Sequence, residues 1–259
     1  MSYVFNIPFR GNAKLRHVIE EVKKDVKLQT LWRCSNVMAI DRMGYTDHGP
    51  THMKIVANLA LRLLRILTGR NVVPSIVKNY NMKNEDAEIV VVLGSIFHDL
   101  GVTVTRDRHE MFGALLALEF VQKFLQTIYS EEERTIMASE VLHCIVSHEE
   151  PNKPLTVEAG IVRIADALDM EEGRARIPFQ AGKVDIHSVS ALAIEKVNIK
   201  EGKEKPVTVL ITMSNSAGVF QIDELLKPRI VNSGLQSYFH VVAEITGGKE
   251  RRIIEKFEI

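Results

Sequence analysis

Phe97-His98-Asp99-Leu100-Gly101 is the stretch on which the reading of this chain turns. An imidazole and a carboxylate stand side by side at the end of Ile89-Val90-Val91-Val92-Leu93-Gly94-Ser95-Ile96, a run too apolar to sit anywhere but in a core. A buried carboxylate is tolerated only beside a compensating charge, either a cationic side chain or a metal ion. The neighbourhood is rich in imidazoles: His48, His52, His98, His109, His143 and His148 lie between positions 48 and 148. That density favours a metal.

Working outward, 259 residues suffice for one large domain, or for one domain with a small second one. The net charge is zero and no stretch is strongly basic, so bulk electrostatics predict neither nucleic-acid nor anionic-membrane binding. Cys34 and Cys144 are far apart and neither belongs to a CxxC pair, which argues against a disulfide framework or a thiolate zinc cluster. The amino terminus lacks a basic region followed by a sustained apolar segment, and no run approaches the roughly 20 apolar residues that span a bilayer. A soluble, unprocessed, cytoplasmic protein is the expectation.

Upstream, residues 13 to 40 place Leu15, Val18, Ile19, Val22 and Val26 at helical spacing, which predicts one or two amphipathic helices. Asp41 to Pro50 reads as a loop, with Pro50 opening the next helix. In that helix Val56, Leu59, Ala60, Leu63, Leu64 and Leu67 trace one face, and His52 lies on the same face one turn earlier, pointing inward. Gly49-Pro50 separates His48 from that face, so His48 is the weaker candidate. Gly69 to Asn84 reads as a connection. Asp86 to Asp99 is predicted to be the central buried helix, with Gly101 in the left-handed conformation that ends helices.

Downstream, the loop Val102 to Arg108 carries Arg106 and Arg108 and delivers His109 to the start of another helix. Ser130-Glu131-Glu132-Glu133 is a capping-box pattern opening a helix that bears His143 and His148. Val157 to Met170 surrounds Asp166 with Ile161, Val162, Ile164, Ala165 and Leu168, so Asp166 poses the same burial problem as Asp99. A shared cation answers both. After about Gly182 the texture changes: Ala193 to Lys200 and Val207 to Met213 alternate with period two, as in a hairpin. Phe220 to Val231 reads as helical, and Phe239 to Thr246, Gly247-Gly248 and Arg251 to Phe257 read as a second hairpin. The fold class is therefore mainly α, with residues 1–182 forming a helical metal-binding domain and residues 183–259 a small α+β domain.

His52, His98-Asp99, His109, His148 and Asp166, taken in order at the ends and inner faces of successive helices, resemble the HD-domain metal-dependent phosphohydrolase superfamily. The resemblance covers roughly residues 45 to 172 and rests on His52-Met-Lys-Ile-Val-Ala, Phe97-His98-Asp99-Leu100-Gly101 and Ala165-Asp166-Ala167-Leu168-Asp169. It implies an HD-type helical bundle converging on one metal held by His52, His98, Asp99 and Asp166. His109 and Ser147-His148-Glu149 look like the positions that hold a second ion in some members, with Asp99 then bridging the two. The chain departs from the binuclear signalling branch, which usually has two adjacent histidines where Ser147-His148 stands and a lysine where Val102 stands. It also lacks the Gly-Tyr-Pro run of the cyclic-dinucleotide phosphodiesterases. His143, one turn before Ser147, is a candidate for the missing imidazole.

Mixed imidazole and carboxylate ligands suit Mn, Fe, Co, Ni or Zn better than magnesium. One or two such ions lower the pKa of a bound water to about 7 and neutralise charge on a phosphoryl oxygen. Asp99 and His98 are accordingly the expected catalytic centre, and Arg106 and Arg108 the expected clamp on the phosphate. A lone histidine on an apolar face is usually a hydrogen-bonded core residue, and loop arginines are usually solvated. Asp169 is either an orienter of a ligand or simply exposed, and Arg174 and Arg176 either reach the pocket or belong to a charged linker. His17, His187 and His240 have no partner pattern.

The leading functional expectation is a phosphohydrolase that cleaves a phosphate ester of a nucleotide or related small phosphorylated molecule with a metal-bound hydroxide. Two other classes stay open: a di-iron oxygenase on the same scaffold, and a non-catalytic regulatory module that binds a phosphorylated effector. The strand edges of residues 183–259 either pair subunits, giving a homodimer, or cover the pocket.

Overall fold

The structure is a computed structural model, and it describes residues 5–171, 190–246 and the backbone of 256–258. The amphipathic segment at the amino end forms α1 (Ala13–Lys24) and α2 (Val26–Asn36). Each is opened by a side-chain cap, Asn12 for α1 and Asp25 for α2, accepting from the backbone N–H three residues on. A π-helical turn, Val37–Arg42, extends α2. Pro50 starts α3 (Pro50–Gly69) as the sequence predicts. The supposed connection over 69–84 contains one more helix, α4 (Ser75–Tyr80), ended by Asn81 at φ 56°.

At the centre lies α5 (Asn84–Phe97), buried on all sides from Ile89 to Phe97 except half-buried Glu88 just before it. Its length and all-round burial are those of a core helix, although consecutive valines also suit a buried strand. The acid at its start is satisfied: Asp86 accepts from Lys14 Nζ at 2.9 Å and from the Tyr129 hydroxyl at 2.5 Å. At its other end Trp32, buried in α2, donates Nε1–H to the Ile96 carbonyl at 3.0 Å. Around α5 pack α3, α6 (His109–Leu125), α7 (Glu131–Ser147) and α8 (Val157–Ala167). The Ser130 capping box is present at α7.

Gly101 corrects one expectation. It has no positive φ and does not terminate α5 by turning left-handed; it lies in a 3-10 turn, Leu100–Thr103, pressed against α6. A Cβ there would fall 1.9 Å from the His109 carbonyl oxygen and 2.5 Å from the Gly113 nitrogen. Glycine is required because two backbones meet, and that contact holds the start of α6 beside the end of α5.

The carboxy-terminal part is a four-stranded sheet in the order β1 (Ile194–Glu201), β2 (Val207–Met213), β3 (Phe239–Ile245), β4 (Lys256–Glu258). The pairs β1·β2 and β3·β4 are antiparallel, as the two hairpins require, but β2 and β3 run parallel. Parallel neighbours need a crossover. The segment between them supplies it, through a π-helical turn, Gln221–Leu226, and α9 (Lys227–Val231). The crossover docks on α8: a Cβ at Gly160 would lie 2.5 Å from the Ser233 carbonyl oxygen. The architecture is therefore mainly α, a helical bundle with a small α+β unit. Gly247-Gly248, Arg174, Arg176 and His187 lie outside the described residues. Among the described residues no helix is long and apolar enough to cross a membrane.

Candidate metal centre

Five helix ends bring the predicted ligands together. His52 comes from the first turn of α3, His98 and Asp99 from the end of α5, His109 from the first residue of α6, His148 from the end of α7 and Asp166 from α8. The five residues His52, His98, Asp99, His109 and His148 are at most 4% exposed. Arg163, itself buried, fixes the end of α7 by donating to the carbonyls of Ser147 at 3.3 Å and Asn152 at 2.8 Å, and to Glu150 at 3.0 Å.

Asp99 sits between two groups. Its Oδ2 lies 3.4 Å from His52 Nε2 and 3.2 Å from His98 Nε2, and the same two nitrogens lie 3.3 and 3.6 Å from Asp166 Oδ1. Its Oδ1 faces the other way, 3.1 Å from His109 Nε2 and 3.7 Å from His148 Nε2. Asp99 and Asp166 thus share the same pair of imidazoles, as one ion between them demands, and the second oxygen of Asp99 serves a second group.

The protons show what these groups lack. His52 donates Nδ1–H to Asp169 Oδ2 at 2.6 Å, His98 to the Ser95 carbonyl at 2.7 Å and His148 to the Ile145 carbonyl at 2.6 Å. Since each partner is an acceptor, the ring N–H is committed there, and a neutral ring presents a bare lone pair at Nε2. Yet His52 Nε2 and His98 Nε2 stand 3.2 Å apart, both facing carboxylate oxygens. Lone pairs aimed at lone pairs in a buried site need a cation among them, either a proton on a ring or a metal ion. His109 is less settled, because the Arg106 carbonyl at 3.1 Å and the Arg106 guanidinium at 2.7 Å compete for its Nδ1.

The charges of the site lean on one another. Burial works against a charged His98, but the Asp99 carboxylate, with Asp166, raises its pKa to about 9. Burial likewise works against ionised Asp99 and Asp166, and the surrounding imidazoles overcome it, holding both carboxyls well below the usual range. Burial depresses His148. A divalent ion would take over the role of the single proton on His98.

Of the weaker candidates, His48 reaches the rim: its Nε2 is 4.0 Å from Asp99 Oδ2 and its Nδ1 donates to the Thr46 carbonyl at 2.8 Å. His143 does not join the centre. Its Nε2 accepts the Leu155 backbone N–H at 2.9 Å, so its lone pair is already used. The place beside His148 is taken instead by Glu149, whose carboxylate forms a group of ligand geometry with His109 and His148. Asp169, which the sequence left between two readings, is the partner of His52.

One residue had no local sequence signal. Arg229, in α9 of the α+β unit, donates to the His148 carbonyl and, at 3.1 Å, to Glu149 Oε1, and its Nη1 is 4.0 Å from Asp166 Oδ2. Arg106 Nη2 approaches the other oxygen of Glu149, at 3.8 Å. Asp166 is therefore not neutralised by arginine alone: Oδ1 faces the imidazoles and only Oδ2 faces Arg229. Arg108, at φ 53° before α6, is exposed and makes no ion pair among the described residues.

This arrangement has a family. The HD-domain model matches residues 50–171, the span from the start of α3 to just beyond Asp169. The chain belongs to the HD-domain family. An HD-domain centre of this kind binds divalent metal ions, and the two His/Asp groups around Asp99 have the chemistry to hold them. The chain is also 45% identical over 242 residues to a protein from Methanocaldococcus jannaschii, called uncharacterized protein MJ1020, with 93% of each chain covered. The likeness to that relative extends through the α+β unit as well as the HD domain.

Proposed function

We propose that this HD-domain protein is a metal-dependent phosphohydrolase acting on a phosphate ester of a nucleotide or similar small molecule. The single observation behind this reading is the split role of Asp99, one oxygen turned to His52, His98 and Asp166 and the other to His109 and His148. In this proposal His52, His98, Asp99 and Asp166 hold one transition ion, and Asp99, His109, His148 and Glu149 hold the other. Such ions supply charge neutralisation for a phosphoryl oxygen and a water acidified to a pKa of about 7.

The rest is the work of the chain's own residues. Asp169 keeps His52 in the tautomer that points Nε2 inward, and Ser95 and Ile145 do the same for His98 and His148. Arg106 and Arg229 converge on Glu149 from opposite sides. Two guanidiniums around one carboxylate at the edge of the centre form a receptor for a phosphate dianion, which would compete with Glu149 for their N–H groups. In this reading Arg106 and Arg229 form the clamp, and Arg108 stays in the exposed loop before α6. A cytoplasmic setting and a small phosphorylated partner belong to the same proposal.

The test is hydrolysis of a panel of nucleotides and generic phosphoesters by protein reconstituted separately with Mn, Fe, Co, Ni and Zn. Turnover that disappears in Asp99→Asn supports the reading; a fully metal-loaded protein inert on the whole panel overturns it. The bridged pair of ligand groups also suits a di-iron oxygenase. Iron retention with oxygen uptake, and no released phosphate, would select that alternative.

A further inference from the structure

Away from the metal centre, α3 forms the floor of a groove of about 900 Å³, walled by the amino-terminal segment at Pro8 and Arg10 and by β1 at Lys200 and Glu201. Five cations line it: Arg10, Lys54, Arg62, Arg65 and Lys200. They come from three distant parts of the chain, which is why no basic stretch is visible in a sequence of zero net charge. Among the described residues Arg10, Lys54, Arg62 and Lys200 make no ion pair. Arg65 is held by Glu88, at 2.6 Å, and donates to the Pro8 carbonyl at 2.8 Å, but its Nη2 is buried without a partner. Glu88 and Glu201 are the acids that face these groups, so the groove keeps an excess of positive charge.

Gathering unpaired cations in one concavity raises the local potential, and low-dielectric walls focus it. The excess is arranged in a line. Lys54, Asn58, Arg62 and Arg65 follow the same stripe of α3, and eleven helical rises of 1.5 Å place the first about 16 Å from the last. Between and beside them Ile55, Leu59 and Ile66 give apolar surface. A row of cations with an apolar patch alongside matches a ligand with several phosphates on a flat, weakly polar body.

We propose that this groove is a second binding site, specific for a nucleoside polyphosphate, with Arg62 and Lys200 on the phosphates and Ile55 and Leu59 under the base. It is separate from the metal centre: none of the residues that line the groove is among the ligand groups, so the ligand contacts the same helix without touching the ions. The wall formed by Lys200 means that occupancy also joins the α+β unit to the bundle. Neither feature depends on the proposed hydrolase activity.

The test uses the full chain stripped of metal with EDTA, which removes the metal centre as a binding site for phosphates. ATP is titrated calorimetrically at low and at moderate salt, in parallel with tripolyphosphate and AMP. Saturable binding of one ATP per chain is expected, weakened by salt and at least about tenfold tighter than AMP, since the phosphate contacts carry it. Arg62→Glu with Lys200→Glu, both exposed positions, should lower ATP affinity by at least about tenfold and leave the melting temperature unchanged, whereas Lys227→Glu, an exposed control, should leave binding unchanged. No ATP binding, or binding indifferent to the double charge reversal, overturns the site. Tripolyphosphate binding as tightly as ATP overturns the assignment to a nucleotide.

Discussion

Replacing Asp169 with alanine removes the acceptor that fixes His52. The ring is fully buried, and its Nδ1–H is donated to Asp169 Oδ2 at 2.6 Å, while Nε2 sits within 3.4 Å of both Asp99 and Asp166. A hydrogen bond to a charged acceptor contributes about 1.5–3 kcal/mol. Its loss lets the ring rotate or change tautomer and lowers the basicity of Nε2, for which losses of about 10–100-fold in metal affinity are typical. That range corresponds to about 1.4–2.7 kcal/mol, the same size as the hydrogen bond itself. Competition with a chelator of known affinity, followed at a temperature where far-UV circular dichroism shows the variant folded, measures the change. Asp169→Asn retains an oxygen acceptor and should lose less than about tenfold. Alanine binding metal as tightly as wild type, or asparagine as badly impaired as alanine, would refute the idea that Asp169 acts through His52.

The other predictions concern separate parts of the chain. Glu149→Gln should reduce the ion content of reconstituted protein from about two to about one per chain, because only the group with His109 and His148 loses a charged ligand; His143→Ala should leave the content unchanged, since that ring is spent on Leu155. Glu140 is 6% exposed with Oε2 unpartnered, and burial, followed by the Glu158 charge, raises its pKa from 4.5 to about 7. Its protonated form is therefore favoured in the folded state, a contribution complete below pH 4.5 and lost as pH rises through 7. Glu140→Gln should be more stable than wild type by about 1–3 kcal/mol at pH 8 and equal to it near pH 4.5, by urea unfolding; an equal difference at both would contradict this. Gly101→Ala must displace the His109 carbonyl and should cost at least about 3 kcal/mol, together with the geometry of the second ligand group.

What was legible in the sequence is what local pattern controls. The apolar face of α3 is enough to place His52 inward, and the length of the Ile89 to Ile96 run is enough to place His98 and Asp99 at the end of a buried helix. The acid in α8 followed from the same argument. Gly101 was misread because a left-handed cap and a backbone-to-backbone contact both demand glycine, and only the position of α6 distinguishes them. His143 and Glu149 were not separable by helical spacing, since the turn after α7 decides which side chain faces His109. Arg229 left no trace, because its position depends on a crossover between two parallel strands that alternation alone does not reveal.

The account rests on the two-sided placement of Asp99, and elemental analysis of the purified, folded chain tests it most directly. Wild type reconstituted with a transition ion should hold about two ions per chain, and Asp99→Asn, which keeps the shape but not the bridging charge, should hold essentially none. A folded wild-type chain that takes up no ion, or an Asp99→Asn chain that keeps its full complement, would contradict it.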